Sequence, residues 1–70
     1  MVKDENKLKK LGSTFKKARE SAELTQSQVA KKAGVHVNYY ARIERGEINT
    51  SFENLQSIAK ALNIKSLDMG

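Results

Sequence analysis

Apolar residues recur along the chain in short runs with helical spacing, and no stretch of four or more residues alternates as a strand would. Leu8, Leu11, Phe15, Ala18 and Ala22 fall at three- and four-residue steps, which is one face of an amphipathic helix. Gly12 weakens that helix near its start, and residues 1–6 are polar and expected to fray. Val29, Ala30 and Ala33 form a second apolar pattern. Thr25 precedes it as an N-cap, with Gln28 at capping-box spacing. Gly34 ends it, in the place where a helix C-terminus takes positive φ. Val35, Tyr40 and Ile43 give a third face, closed by Gly46. After the loop "GEINTS", with Ser51 or Thr50 as cap, Phe52, Leu55, Ile58, Ala59 and Leu62 define a fourth helix. "IKSLDMG" can begin a fifth, capped by Ser66. The pattern predicts an all-α fold, a compact bundle of four or five short helices forming a single domain over residues 1–70.

Gly34 is the one sharp interruption in a chain without proline, and the residues around it have helix-turn-helix spacing. Within a window beginning at Gln26, Val29, Ala33, Val35, Tyr40 and Ile43 take the apolar positions, Ala30 the small one and Gly34 the turn. Two helices joined by a short turn must cross closely, so a small residue at Ala30 lets the second approach the first. Gly34 lets the backbone turn without a Cβ clash. A generic helix pair in a bundle is the alternative. In a helix-turn-helix the second helix enters the DNA major groove by its N-terminal end.

The formal net charge is +5, and much of the excess lies in the first twenty residues. Lys3, Lys7, Lys9, Lys10, Lys16, Lys17 and Arg19 stand there against Asp4, Glu5 and Glu20. Lys31, Lys32, Arg42 and Arg45 form a second set. This balance favours anionic partners, or else is a solvated surface that aids solubility. The segment "LKKLGSTFKKAR" has lysines on one face and could lie on a membrane, but its apolar residues are needed for the core, so no membrane partner is expected. No run approaches the roughly 18 apolar residues of a membrane span, and no apolar block follows the charged N-terminus as in a secretory signal. The lack of cysteine excludes disulfides and cysteine zinc sites and fits a reducing, cytoplasmic setting. With one histidine and an ordinary set of carboxylates, no nucleophile–base pair or metal cluster emerges. No enzyme activity, metal, cofactor or small-molecule ligand is therefore expected.

The stretch "LTQSQVAKKAGVHVNYYARIERGEINTSFENLQSIAKAL" resembles the phage repressor and Cro-like helix-turn-helix regulators, of the xenobiotic-response-element type, over roughly residues 8–68. The likeness rests on Leu24-Thr25-Gln26, Ala30, Ala33-Gly34-Val35, Arg42-Ile43-Glu44-Arg45-Gly46, and Leu55 with Ile58-Ala59. It implies a lambda repressor-like, five-helix domain that binds double-stranded DNA, usually as a homodimer on paired half-sites. A narrower resemblance is to the controller proteins of restriction–modification systems. It is carried by Gly34, Val35, His36 and Tyr39 at the turn and by Asn49 and Ser51 in the later loop. The chain departs from that pattern at Val37 and Ile48, where arginine is frequent, so the resemblance does not fix its DNA preference.

The resemblance implies a structural ion pair between Arg19 and Glu44. The residues agree in outline, with Arg19 at the edge of the first helix's inner face and Glu44 beside core Ile43; the alternative is two unrelated surface charges. The resemblance also makes Gln26 a phosphate clamp. Helix N-termini favour anions, and Thr25 and Gln28 can assist, although simple capping by Thr25 accounts for the same residues. Val37, Asn38, Ala41 and Arg42 are placed on the outer face of the third helix. Asn38 can read adenine, Arg42 guanine, and Val37 or Ala41 a thymine methyl; all four can equally be ordinary exposed residues. His36 is a base or phosphate contact, or a turn residue capping that helix. Tyr39 is expected to point outward to a phosphate, and Tyr40 to lie in the core with a hydroxyl that needs a partner. Lys16 is a further phosphate contact.

These readings converge on a transcription regulator that binds duplex DNA as a homodimer, on near-palindromic operators, and controls restriction–modification genes. Ile64 to Met69 are apolar enough to carry part of the dimer contact. The rival is a protein-interaction module, or an antitoxin using the same scaffold, although an antitoxin usually needs extra sequence to cover its toxin.

Overall fold

The structure, a computed structural model, describes residues 3–64. It contains four helices in this order: α1 (Lys3–Ser21), α2 (Gln26–Ala33), α3 (Val37–Glu44) and α4 (Phe52–Ala61). The segment expected to begin a fifth helix lies outside the described residues, as does the proposed dimer contact apart from Ile64. Helix α1 already includes residues 3–6, which were expected to fray. Neither proline nor glycine occurs there to interrupt the lysines, acids and leucine that follow.

The starts of α2, α3 and α4 are chemically marked. The Thr25 hydroxyl accepts from the Gln28 amide at 3.0 Å, while the Gln28 side chain accepts from the Thr25 amide at 2.8 Å, completing a capping box. Ser51, not Thr50, caps α4 by accepting from the Asn54 amide at 3.1 Å. His36 caps α3, its Nδ1 accepting from the Asn38 amide at 3.2 Å.

The helix ends share one device. At the end of α2, Val35 N–H reaches the Ala30 carbonyl and Gly34 N–H the Lys31 carbonyl, the paired bonds of a Schellman turn, with Gly34 at φ 75°. The same pairing closes α1 at Glu23 (φ 59°), α3 at Gly46 (φ 73°) and α4 at Asn63 (φ 61°). Glu23 holds a left-handed conformation that its Cβ disfavours. The α1 turn also takes Ala22 off the apolar face: Ala22 follows the helix end and is exposed.

The core comprises Phe15 from α1, Val29 and Ala30 from α2, Tyr40 and Ile43 from α3, and Leu55, Ile58 and Leu62 from α4 and its end. Helix α2 packs against α3 and α4, and α1 against α3. Phe52, expected on the inner face of the fourth helix, is instead 70% exposed. It is the first residue of α4, beyond the reach of the packed elements.

Gly12 lies inside α1, where glycine costs about 1 kcal/mol relative to alanine. A Cβ at this position would stand 2.4 Å from the backbone oxygens of Ile43 and Glu44. The glycine therefore sets how closely α1 approaches the end of α3. Gly12→Ala should destabilise the fold by about 1–3 kcal/mol, because overpacking against backbone outweighs the gain in helix propensity. Urea unfolding reads the sign: a stabilised variant would show that α1 and α3 are not in close contact here. Glu23→Gly should act oppositely, gaining about 0.5–1 kcal/mol by relieving the left-handed turn, and the same titration measures it.

Candidate nucleic-acid interface

The inner face of α3 is fixed by Tyr40, Ile43 and Glu44, which are buried at i, i+3 and i+4. Its opposite face is thereby turned to solvent. Asn38 and Arg42, one turn apart, are exposed on it, and Ala41 is half-buried between them. Val37 does not stand clear with them: it is half-buried and packs against the core edge. The outer face proper is thus Asn38, Ala41 and Arg42, joined by exposed Arg45 in the next turn.

The rotation of α3 is held by a buried carboxylate. Arg19 donates from Nε to one Glu44 oxygen at 2.6 Å and from a terminal nitrogen to the other at 3.2 Å, a bidentate pair. The side chains are 14% and 3% exposed, respectively. The third guanidinium nitrogen donates to the Leu24 carbonyl at 3.0 Å. Gln26 donates its side-chain amide to the same carboxylate at 2.9 Å. Burial alone pushes the Glu44 carboxyl up, but hydrogen bonding to Arg19, with Tyr40 and Gln26 beside it, outweighs burial and holds the carboxyl below its ordinary range. The Tyr40 hydroxyl lies near this group yet has no hydrogen bond of good geometry among the described residues. Burial first, then the Glu44 charge, holds its phenol above the usual range.

Two expectations change here. Gln26 was read as a phosphate clamp, and its side chain is also engaged inward, donating one amide hydrogen to Glu44 where the N-terminus of α2 meets the C-terminus of α3. Tyr39 was expected to point outward to a phosphate; it is half-buried, and its hydroxyl bonds to Thr50 and accepts from Asn54 Nδ2 at 3.0 Å. It ties α3 to the start of α4. Thr25 and Gln28 are exposed and committed to the capping box, which leaves the side-chain Nε2 of Gln28 available. Among the described residues, the backbone amides of Gln26 and Ser27 are left without a protein acceptor at the exposed start of α2. His36 is exposed with Nδ1 used as the cap, and Lys16 is exposed on α1.

Sequence reasoning missed Glu47. Gly46 folds the chain back so that Glu47 N–H meets the Arg42 carbonyl at 3.0 Å. The Glu47 carboxylate then pairs with Arg45 Nε at 2.8 Å and lies 3.5 Å from Arg42 Nε. The Arg45 hydrogen bond, with Arg42 adding to it, holds the Glu47 carboxyl below its ordinary range. Its spacing from Arg42 and Arg45 was the available signal, but only the glycine turn brings all three together.

The family described as Helix-turn-helix matches residues 15–69. This chain belongs to that helix-turn-helix family. The immunity repressor protein of Bacillus phage phi105 is 40% identical over 55 residues, covering 79% of this chain and 38% of the repressor. The chain thus spans well under half the length of that relative. The control protein C.BamHI of Bacillus amyloliquefaciens is 35% identical over 46 residues, covering 66% of this chain and 57% of its own. The crystal structure of the restriction-modification controller protein C.AhdI from Aeromonas hydrophila superposes with a TM-score of 0.81 at 33% identity, covering 83% of this chain and 88% of that one. The shared fold is the all-α helix-turn-helix arrangement read from the sequence.

The ion pair generates a stability prediction with a pH signature. Arg19→Met leaves the Glu44 charge buried and should cost about 3 kcal/mol, with the double replacement of Arg19 and Glu44 by Met milder than the sum. Because the Glu44 carboxyl titrates lower in the folded than in the unfolded chain, its contribution is complete above the ordinary carboxylate value of about 4.3 and is lost as pH falls through the depressed one. The urea stability gap between wild type and Glu44→Gln should therefore narrow on acidification from neutrality; a gap that stays constant would place the carboxylate outside the pair.

Proposed function

We propose that the protein is a sequence-specific transcription regulator that binds duplex DNA through α3, as a homodimer on near-palindromic operators. The observation that carries this reading is the outer face of α3. The Arg19–Glu44 pair and the core hold the helix by its other side, leaving Asn38 and Arg42 exposed one turn apart. An asparagine amide and an arginine fork match the hydrogen-bonding edges of adenine and guanine in the major groove. His36, beside Asn38 at the helix start, has its Nε2 edge available for a base or phosphate.

Phosphate contacts set the docking. The unpaired amides at the start of α2 supply donors and the positive end of a helix dipole. Thr25, Gln26 and Gln28 frame that end: the second amide hydrogen of Gln26 can reach a phosphate while the first remains on Glu44. Lys16 adds a sequence-independent charge. One recognition helix reads only a few base pairs. Two-fold pairing of helices about 34 Å apart supplies the missing selectivity. The likeness to C.AhdI and C.BamHI supports control of restriction–modification genes as the biological role, with the phage repressor relative supporting operator binding in general. A cytoplasmic setting follows from that role.

Selection of bound sites from random duplex DNA tests the reading. Selected sites should be near-palindromic, with half-site centres about one helical turn apart. Arg42→Ala should relax preference at one guanine and Asn38→Ala at another position, each by about 1–3 kcal/mol. Lys16→Ala should weaken all duplexes alike and lower the dependence of log affinity on log salt by about 0.9. Uniform losses with intact site preference from Arg42→Ala and Asn38→Ala would remove α3 as the reader. Affinity insensitive to salt would favour a protein-interaction module.

A further inference from the structure

Glu47 carries a negative charge on the face that the proposed DNA reading needs to be positive. Its carboxylate does not stabilise the fold appreciably, since exposed ion pairs contribute little, and it and both its partners are exposed. Yet its position is tightly specified. Gly46 adopts φ 73°, and a Cβ there would stand 2.7 Å from the Lys9 Cα, so only glycine can make this turn. The Glu47 N–H bond to the Arg42 carbonyl then sets the carboxylate beside two arginines. Arg45 is engaged through Nε at 2.8 Å and Nη2 at 3.3 Å. Arg42 is approached at Nε, 3.5 Å away, with no hydrogen bond formed to the carboxylate. The edge formed by its two terminal nitrogens, which would donate to guanine O6 and N7, is not taken by the carboxylate.

We propose that Glu47 is a specificity-determining positioning residue, which buttresses Arg42 from behind, steers it toward guanine and withholds its charge from phosphates. This inference rests on the reading of α3 as the DNA-binding helix. A flexible, uncompensated arginine gains from any nearby phosphate, so it strengthens non-specific and specific binding together. An arginine whose charge is partly neutralised by a fixed carboxylate gains less from a phosphate. It keeps the directional, bidentate contact that a guanine edge offers. Glu47 thus lowers binding to random DNA more than binding to the operator. Arg45, held by the same carboxylate through two nitrogens, is kept from acting as a second unspecific cation.

The test compares full-length wild type, Glu47→Gln, Arg42→Ala and the double variant on two duplexes of equal length. One carries the selected site and the other a random sequence; circular dichroism confirms that each variant is folded. Glu47→Gln should bind the random duplex about two- to fivefold more tightly, the scale of one exposed ion pair. It should also steepen the salt dependence on that duplex by about 0.9. Binding to the selected site should gain less, so the ratio of the two affinities falls. In the Arg42→Ala background, Glu47→Gln should no longer change that ratio. Equal gains on both duplexes would reduce Glu47 to a contribution to net charge and overturn the proposal. So would an unchanged loss of discrimination without Arg42. If Arg42→Ala alone leaves site preference intact, the α3 reading fails and the Glu47 proposal fails with it. If Arg42→Ala relaxes preference but Glu47→Gln does not lower the ratio, only the role of Glu47 is overturned.

Discussion

A buried carboxylate must be compensated, and in this small domain that requirement joins three helices at one point. Glu44 at the end of α3 receives Arg19 from the end of α1 and Gln26 from the start of α2. Arg19 in turn caps the Leu24 carbonyl in the connection between α1 and α2. Removing any one of these groups leaves a charge or a polar atom facing the interior, so the three helix ends are constrained together. The consequence for α3 is rotational. Its buried stripe is held in place, and the exposed positions of Asn38 and Arg42 follow from helical geometry alone. The same node lies at the start of α2, where free backbone amides face solvent. Stability and the proposed recognition surface therefore depend on a shared set of contacts.

Glycines determine how near the backbones come around that node. Gly12 brings α1 against the carbonyls of Ile43 and Glu44, next to the carboxylate itself. Gly46 brings the chain after α3 against Lys9 of α1 and returns Glu47 toward Arg42. Gly34 acts differently: nothing lies within 4 Å of where its Cβ would stand, so its requirement is the left-handed turn between α2 and α3. Two of these positions answer to close approach across the fold, and one to local backbone conformation.

That distinction explains what could be read in advance. Gly34, the Thr25–Gln28 box and the apolar stripes of α2 and α3 are local patterns, and a local pattern is visible in one stretch of chain. Arg19 and Glu44 are distant in sequence, yet their pairing was accessible because each borders a predicted inner face and a family resemblance joins them. Gly12 looked like a weakness in a helix because its neighbour is on another element. Gln26 and Tyr39 looked exposed for the same reason. Each has a polar group that finds an internal partner only once α2, α3 and α4 are assembled. Phe52 shows the converse, since periodicity counts it as apolar face but helix α4 begins there with nothing over it. Glu23 gave no signal at all: a glutamate in a left-handed turn is disfavoured locally and is imposed by the closing hydrogen bonds of α1.

The most direct measurement is an NMR titration of the isotope-labelled protein with a duplex carrying its selected site, following backbone amides together with the Arg19 Nε–H resonance. The largest shifts should fall on Asn38, Ala41 and Arg42 and on the amides of Gln26 and Ser27. The Arg19 Nε–H, bonded to Glu44, should stay in place, because the ion pair is buried beneath the surface proposed to meet DNA. Shifts concentrated on the lysines of α1 with α3 unmoved, or loss of the Arg19 signal on binding, would contradict a rigid α3 presented to the groove by its buried carboxylate.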